Sequence, residues 1–295
     1  MEVINRFNGP VFFYQSDPLL QFPFWRLTKA ERPWSDPDNT IRETGKGYEE
    51  DGWGDYDELF KNKKIVLLTK NKIPTEEFVK CMDGTRFRYK YFYDQKLISF
   101  DFMLTGYDKF FIKYIRNNFE KKKYLLCYMG FPRSRVSYFN KFYSPYFTQT
   151  HLWGPWNTCK TRINVLKKYE EYGATYHGYV YGYPKLCKKY NRSKMSFNIV
   201  PRRALKLGWI NNRFFESIFC NCLTFSDSSI VNIRDISDDY FLVGNSDEAE
   251  AKITEVGEMN KTEYECKLHD QYEKVKHLNY DFICSYLENI FLKYM

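Results

Sequence analysis

The chain has 295 residues, 43% of them hydrophobic, which excludes a disordered chain and leaves enough apolar length for one large core or two small ones. The net charge of +8 is unevenly spread: residues 121–213 hold 19 Lys and Arg against two acids, residues 214–295 hold seven against 16, and the first 120 residues balance. No run of 18 apolar residues exists to span a membrane, and MEVINRFNGP has an acid at position 2 and no apolar h-region, so it does not read as a signal peptide.

In chain order, VFFYQ (11–15) predicts a short strand that ends in the turn-forming Ser16-Asp17-Pro18. The segment 33–57 is rich in Pro, Gly and Asp and too long for a routine connection, so it reads as a functional loop. KIVLLTK (64–70) predicts a second strand and DKFFIKYIRNNFEKK (108–122) a helix; otherwise residues 1–120 look irregular. From 123 the rhythm changes. Strands are expected at KYLLCYM (123–129), THLWG (150–154), ATYHGYV (174–180), MSFNIV (195–200) and CLTFSD (222–227). Helices are expected between them at 136–147, 162–173, 183–194 and 210–221, with Pro184 starting the third. This alternation predicts a doubly wound, mostly parallel sheet. The last 50 residues read as helices, and over 279–294 Phe282, Tyr286 and Ile290 share one face with Ile283 and Leu287 alongside. The organisation expected is an irregular N-terminal part (1–120), a Rossmann-like domain (121–245) and C-terminal helices (246–295).

In such sheets ligands sit beyond the C-terminal strand ends. That places Gly130-Phe-Pro-Arg133-Ser-Arg135, Gly154, His177–Tyr181 and the start of the 210–221 helix around one crevice. Two guanidiniums and free N–H groups at a helix start suit a diphosphate. Arg213 and Glu216 lie three apart on one helix face. Two readings of that pair stay open: phosphate and ribose-diol recognition, or a local ion pair worth about 0.3 kcal/mol. Tyr176-His-Gly-Tyr-Val-Tyr-Gly-Tyr-Pro offers backbone amides and aromatic faces to a planar base. The eight cysteines form no CxxC and read as reduced structural thiols of a cytosolic protein. Only four histidines occur, without HxxH, and Asp36-Pro-Asp38 and Asp55-Tyr-Asp57 follow no apolar strand, so no metal site is assigned. A divalent ion is compatible with the sequence but not required by it, and no permanently bound cofactor is expected. A basic middle third fits a polyanion or a phosphorylated ligand.

The order of these pieces resembles the GT-B nucleotide-sugar glycosyltransferases, and more specifically the T-even bacteriophage enzymes that glucosylate 5-hydroxymethylcytosine in DNA. The likeness rests on Phe12-Phe-Tyr-Gln-Ser-Asp17, then Pro23-Phe-Trp25, then Arg32-Pro-Trp34, with Gly130 to Arg135 as donor loop and Arg213 to Glu216 before a strand. Within that family the pattern is most like the enzyme that adds a second glucose to make a gentiobiosyl unit. The resemblance implies UDP-glucose as donor, with Arg133, Arg135 and Arg213 on the diphosphate, Glu216 on the ribose, and Tyr179 and Val180 near the uracil. It implies Asp17 as general base, no other carboxylate being found in a comparable setting, and Trp25, Arg32 and Trp34 on the acceptor side. It further implies double-stranded modified DNA as acceptor, a monomer, and action in the cytoplasm of the infected host cell. The family's full acceptor domain precedes its Asp strand, whereas only 16 residues precede Asp17 here. Two other readings stand beside it: a glycosyltransferase acting on a surface glycan or protein, and a non-catalytic DNA-binding protein on the same scaffold.

Overall fold

A computed structural model describes residues 10–15, 65–69, 79–80, 86–87, 99–102, 119–130, 136–200, 205, 210–231 and 233–295. The chain divides into two compact units: residues 1–104 with 207–209 and 284–295, and residues 105–206 with 210–283.

The first unit contains a parallel three-stranded sheet. Strands β1 (Val11–Gln15) and β2 (Ile65–Thr69) pair in the register Val11↔Ile65. A two-stranded antiparallel pair follows, β3 (Val79–Lys80) with β4 (Arg86–Phe87). Then β5 (Ser99–Phe102) joins the far side of β2, so the order is β1-β2-β5. The near-continuous apolar runs VFFYQ and IVLLT are what parallel strands read like in sequence. The irregular reading of residues 1–120 missed β3, β4 and β5, which are short and separated by polar residues. Of the helix expected over 108–122, only Phe119–Lys122 is described, and it forms a 3-10 turn over Phe119–Lys121.

The second unit is built on six parallel strands: β6 (Tyr124–Met129), β7 (Thr150–Trp153), β8 (Thr175–Tyr176), β9 (Ser193–Asn198), β10 (Leu223–Asp227) and β11 (Leu242–Val243). Their order is β11-β10-β9-β6-β7-β8. The chain starts in the middle, runs outward through β7 and β8, returns to the other flank of β6 at β9, and runs outward again. This is the doubly wound order, with its switch point between β6 and β9. Of the five expected strands, ATYHGYV is cut to two residues because Gly178 turns the backbone to φ +90°. The sixth, β11, is a two-residue edge strand that escaped the reading.

The helices are α1 (Val136–Tyr143), α2 (Lys160–Glu171), α3 (Tyr183–Asn191), α4 (Asn212–Phe219), α5 (Ser246–Glu258), α6 (Lys261–Val275) and α7 (Tyr280–Tyr294). After α1, Ser144-Pro145 tightens the chain into a 3-10 helix, Ser144–Gln149, because a proline interior to an α-helix lacks its donor. Asn245 caps α5 by accepting from the Glu248 N–H, and Asn260 with Glu263 forms a reciprocal capping box on α6. In α7 the buried positions are Ile283 and Ile290, with Tyr286, Leu287 and Tyr294 partly covered. Phe282, expected on that stripe, is 40% exposed; the apolar face runs one position later.

The core against α1 and α2 is aromatic. Phe139 stacks on Tyr143 at 4.3 Å and on Tyr169 at 5.1 Å, while Tyr128 meets Phe139 edge-on. The Tyr143 hydroxyl donates to the Cys127 carbonyl (2.9 Å) and accepts from the Phe197 N–H (3.1 Å). One polar tip thus ties α1 to β6 and β9, while each buried ring contributes about 2–3 kcal/mol of transfer free energy. On the alternate side of the strands, Cys127 and Cys222 bring their sulfurs to 3.9 Å. Ser196, the β9 residue paired with Cys127, is small enough to leave the space between them.

Candidate nucleotide-sugar site at the C-terminal strand ends

Three glycines with left-handed backbones end the strands beside the switch point. They are Gly130 after β6 (φ +117°), Gly154 after β7 (φ +138°) and Gly178 after β8 (φ +90°). Gly130 donates to the Trp153 carbonyl (2.6 Å) and Gly154 to the Gly178 carbonyl (3.0 Å), so the turns are laced together. A Cβ on Gly154 would lie 2.7 Å from the Gly130 Cα, and a Cβ on Gly130 would run into the guanidinium of Arg213. The left-handed backbone favours glycine at both places, and at Gly154 the backbone contact requires it as well.

Arg213 is the second residue of α4. Its Cζ lies 5.9 Å from the centre of the Tyr128 ring, at the outer end of β6. Among the described residues its guanidinium makes no hydrogen bond and no ion pair. The local ion pair with Glu216 is not formed. Burial raises the Glu216 carboxyl above its ordinary value, against the pull of Arg213. Asn211 precedes α4 with an extended backbone but does not cap it; its amide instead donates to the Ile199 carbonyl (3.3 Å). The first N–H groups of α4 thus have no side-chain acceptor among the described residues, beside an unspent cation. Asn198 Oδ1, at the end of β9, and Asn211 Oδ1 are buried without hydrogen-bond partners among the described residues. This is the local chemistry of an anion site with hydroxyl-reading groups nearby.

Tyr179 and Val180 lie on the loop that follows β8, at the same edge of the sheet. Tyr179 is 48% exposed, and its ring centre is 4.1 Å from that of Tyr181. The loop is anchored through His177. The His177 N–H donates to the Leu152 carbonyl (3.0 Å), its ring stacks on Trp153 (4.5 Å, 12°), and its Nε2 is 2.8 Å from Nδ1 of His151. Burial lowers the pKa of both imidazoles, that of His151 to about 4 with help from the charge of His177.

The structure thus brings Gly130 and Arg213 into contact and sets Glu216, Tyr179 and Val180 on elements that open to the same sheet edge. Asp17, Trp25, Arg32, Trp34, Arg133 and Arg135 lie outside the described residues, as do the two Asp-x-Asp spacings. Tyr128 and the His151–His177 pair were missed by sequence reasoning. Tyr128 could have been found as the last aromatic of the strand before the Gly130 turn. One more carboxylate does end a strand, contrary to expectation: Asp227 closes β10. Its oxygens are taken by the Tyr138 hydroxyl, by the Ser229 N–H (2.7 Å) and hydroxyl (2.5 Å), and by Lys141 at 3.5 Å, so it anchors a turn. Among the described residues no three His, Cys, Asp or Glu side chains gather to hold a metal ion.

A family model described as glycosyl transferase-like matches residues 140–276. No curated protein sequence matches the chain. Among solved structures, T4 phage beta-glucosyltransferase is similar at 13% identity and a TM-score of 0.57, over 97% of this chain and 76% of that one. The T4 phage enzyme in complex with its UDP-glucose substrate is similar at 14% identity and a TM-score of 0.56, over 97% and 75%. A UDP-forming alpha,alpha-trehalose-phosphate synthase from Burkholderia xenovorans is similar at 11% identity and a TM-score of 0.51, over 95% and 68%.

Proposed function

The fold is that of the GT-B glycosyltransferases, and from it we propose that the protein transfers glucose from UDP-glucose to glucosylated 5-hydroxymethylcytosine in phage DNA. The carrying observation is Arg213: a cation held against Gly130, without a partner among the described residues, at the uncapped start of α4. A nucleoside diphosphate supplies the anion that such a site lacks. Arg213 then stabilises the charge that grows on the departing diphosphate, with Arg133 and Arg135 on the same group. Glu216 accepts from the ribose diol, and Tyr179 and Val180 flank the uracil.

UDP-glucose is an α-glycoside and the gentiobiosyl linkage is β, so the transfer inverts the anomeric centre. Asp17 is the general base that takes the proton from the attacking sugar hydroxyl, a step that needs a carboxylate within about 3 Å. Trp25, Arg32 and Trp34 hold the acceptor. The basic stretch 121–213 meets DNA phosphates, so acceptor affinity falls as salt rises. The enzyme works as a monomer in the cytoplasm of the infected host cell, where the modification shields phage DNA from restriction nucleases.

The test is to incubate the protein with labelled UDP-glucose and hydroxymethylated DNA, with and without prior glucosylation, and to digest to nucleosides. A labelled disaccharide on the nucleoside, formed only from glucosylated DNA, is the expected result. Label on bare hydroxymethylcytosine moves the reaction one step earlier. Transfer to free sugars without salt dependence points to a glycan acceptor instead. Loss of transfer in Asp17→Ala, with UDP still raising the melting temperature, is expected; retained turnover removes Asp17 as base.

A further inference from the structure

Between the donor loops and the outer edge of the sheet lies a polar cluster that donor binding, as described so far, does not use. His151 is the second residue of β7, and His177 is the first residue beyond β8. Because β7 and β8 run parallel with His151 opposite Thr175, the His151 side chain reaches His177 diagonally across the pair. The contact joins Nδ1 of His151 to Nε2 of His177 at 2.8 Å. The groups around it come from three elements. Tyr124 of β6 packs its ring on both imidazoles, at 4.3 Å and 5.5 Å. Trp153 of β7 lies flat against His177 at 4.5 Å. Lys189 of α3 sits over the other side of the network, 5.5 Å from the Trp153 ring, and its charge acts on His177. No carboxylate is bonded to either ring among the described residues, so nothing rewards an imidazolium there.

What the pair holds is the next five residues. Beyond His177 the backbone turns through Gly178 (φ +90°), where an added Cβ would meet nothing within 4 Å, and stays open to Gly182 (φ +79°), the residue before α3. Tyr179, Val180 and Tyr181 have no bond to the sheet of their own among the described residues. The loop is hinged at two glycines and fastened at one end by the His177 backbone and ring and by the Gly178 carbonyl, which accepts from the Gly154 N–H (3.0 Å).

We propose that His151 is a positioning residue: through its hydrogen bond to His177 it sets the conformation of residues 178–182, and with it the fit of the nucleobase against Tyr179 and Val180. This rests on the donor-site reading above. The hydrogen bond needs one N–H and one free lone pair, so it survives while the pair is neutral or shares one proton and is lost when both rings are charged. The burial that disfavours imidazolium keeps it intact at neutral pH.

The experiment compares wild type, His151→Ala, His151→Asn, whose carboxamide can replace Nδ1, and Arg213→Ala. Backbone hydrogen exchange is followed over 178–182, with residues 124–129 as internal reference, and UDP affinity is measured by calorimetry from pH 7.5 to 4. His151→Ala should speed exchange over 178–182 and not over 124–129. It should also weaken UDP about tenfold, the change expected when the competent loop conformer falls to about a tenth of the population. His151→Asn should restore both, and should remove the loss of affinity that wild type shows as pH falls below about 5 toward 4, where the second ring of the pair takes its proton. Unchanged exchange over 178–182 in His151→Ala overturns the proposal. So does faster exchange with unchanged UDP affinity, provided Arg213→Ala abolishes binding. If Arg213→Ala leaves UDP affinity untouched, the donor-site reading fails, while exchange still decides whether His151 holds the loop.

Discussion

Two cations stand at opposite ends of the six-stranded sheet. Lys122 precedes β6 at the N-terminal edge, and its ammonium donates to the Ser193 carbonyl (2.9 Å) and the Asn221 carbonyl while facing the Tyr264 ring at 5.3 Å. The Tyr264 hydroxyl in turn lies within reach of the Asn221 carbonyl (3.0 Å) and the Lys194 carbonyl (2.5 Å), between which it shares its one proton, so the starts of β9 and β10 and the end of α4 are tied into one knot. Arg213, at the C-terminal edge, faces a ring and a glycine and bonds to nothing described. The protein spends the first cation on its own backbone and keeps the second in reserve. A half-buried cation without a protein acceptor among the described residues, at a C-terminal strand edge where such sheets bind their ligands, fits an anionic ligand.

This contrast can be broken by substitution. The largest effect is expected at Gly154, where a Cβ meets the Gly130 backbone and the φ of +138° is strained for any side chain. Gly154→Ala should destabilise by about 3 kcal/mol or more and lower the yield of folded protein, read by denaturant unfolding. Lys122→Ala should come next. It removes the ammonium from the Ser193 and Asn221 carbonyls, of which Asn221 keeps Tyr264, and should cost about 2 kcal/mol in unfolding while leaving UDP affinity unchanged. Gly130→Ala should do the reverse. It displaces the flexible end of Arg213, so UDP affinity should fall about tenfold with a stability loss of about 1–2 kcal/mol.

The contrast also has a pH dependence, carried by Lys122. Burial, the largest influence, depresses its pKa from the ordinary 10.5 to about 8. A depressed value means that the folded state sheds its proton first, so the contribution is complete above pH 10.5 and is lost as pH falls through 8. The stability difference between wild type and Lys122→Met should therefore shift in favour of wild type between pH 8 and 10.5. A difference that is flat across that window would show the ammonium to be solvated.

The parallel sheet of the second unit was legible because each strand is an apolar run bounded by a turn residue, as in KYLLCYM before Gly130 and CLTFSD after Asn221. What escaped was short. β11 has two residues between a 3-10 turn and Gly244, too few to show any period. The third strand was read too long because Tyr, His and Val carry strand propensity past Gly178, and only the backbone at that glycine overrules them. The Arg213–Glu216 spacing was legible as a shared helix face, but whether the two would pair was not. That is decided by tertiary packing: the guanidinium faces Tyr128 and Gly130, more than 80 positions upstream. The His151–His177 bond was invisible for the same reason: 26 residues separate two rings that only the β7–β8 register brings together.

The central claim, that Arg213 is a donor-binding cation and not a structural one, is tested most directly by calorimetric titration of UDP into wild type and Arg213→Ala, with their melting temperatures measured side by side. The expected result is a loss of UDP affinity of about a hundredfold, on the order of 3 kcal/mol for charge-assisted bonds, with a melting temperature equal to or above that of wild type. Equal UDP affinity in the two proteins, or a melting temperature that collapses when Arg213 is removed, would contradict it.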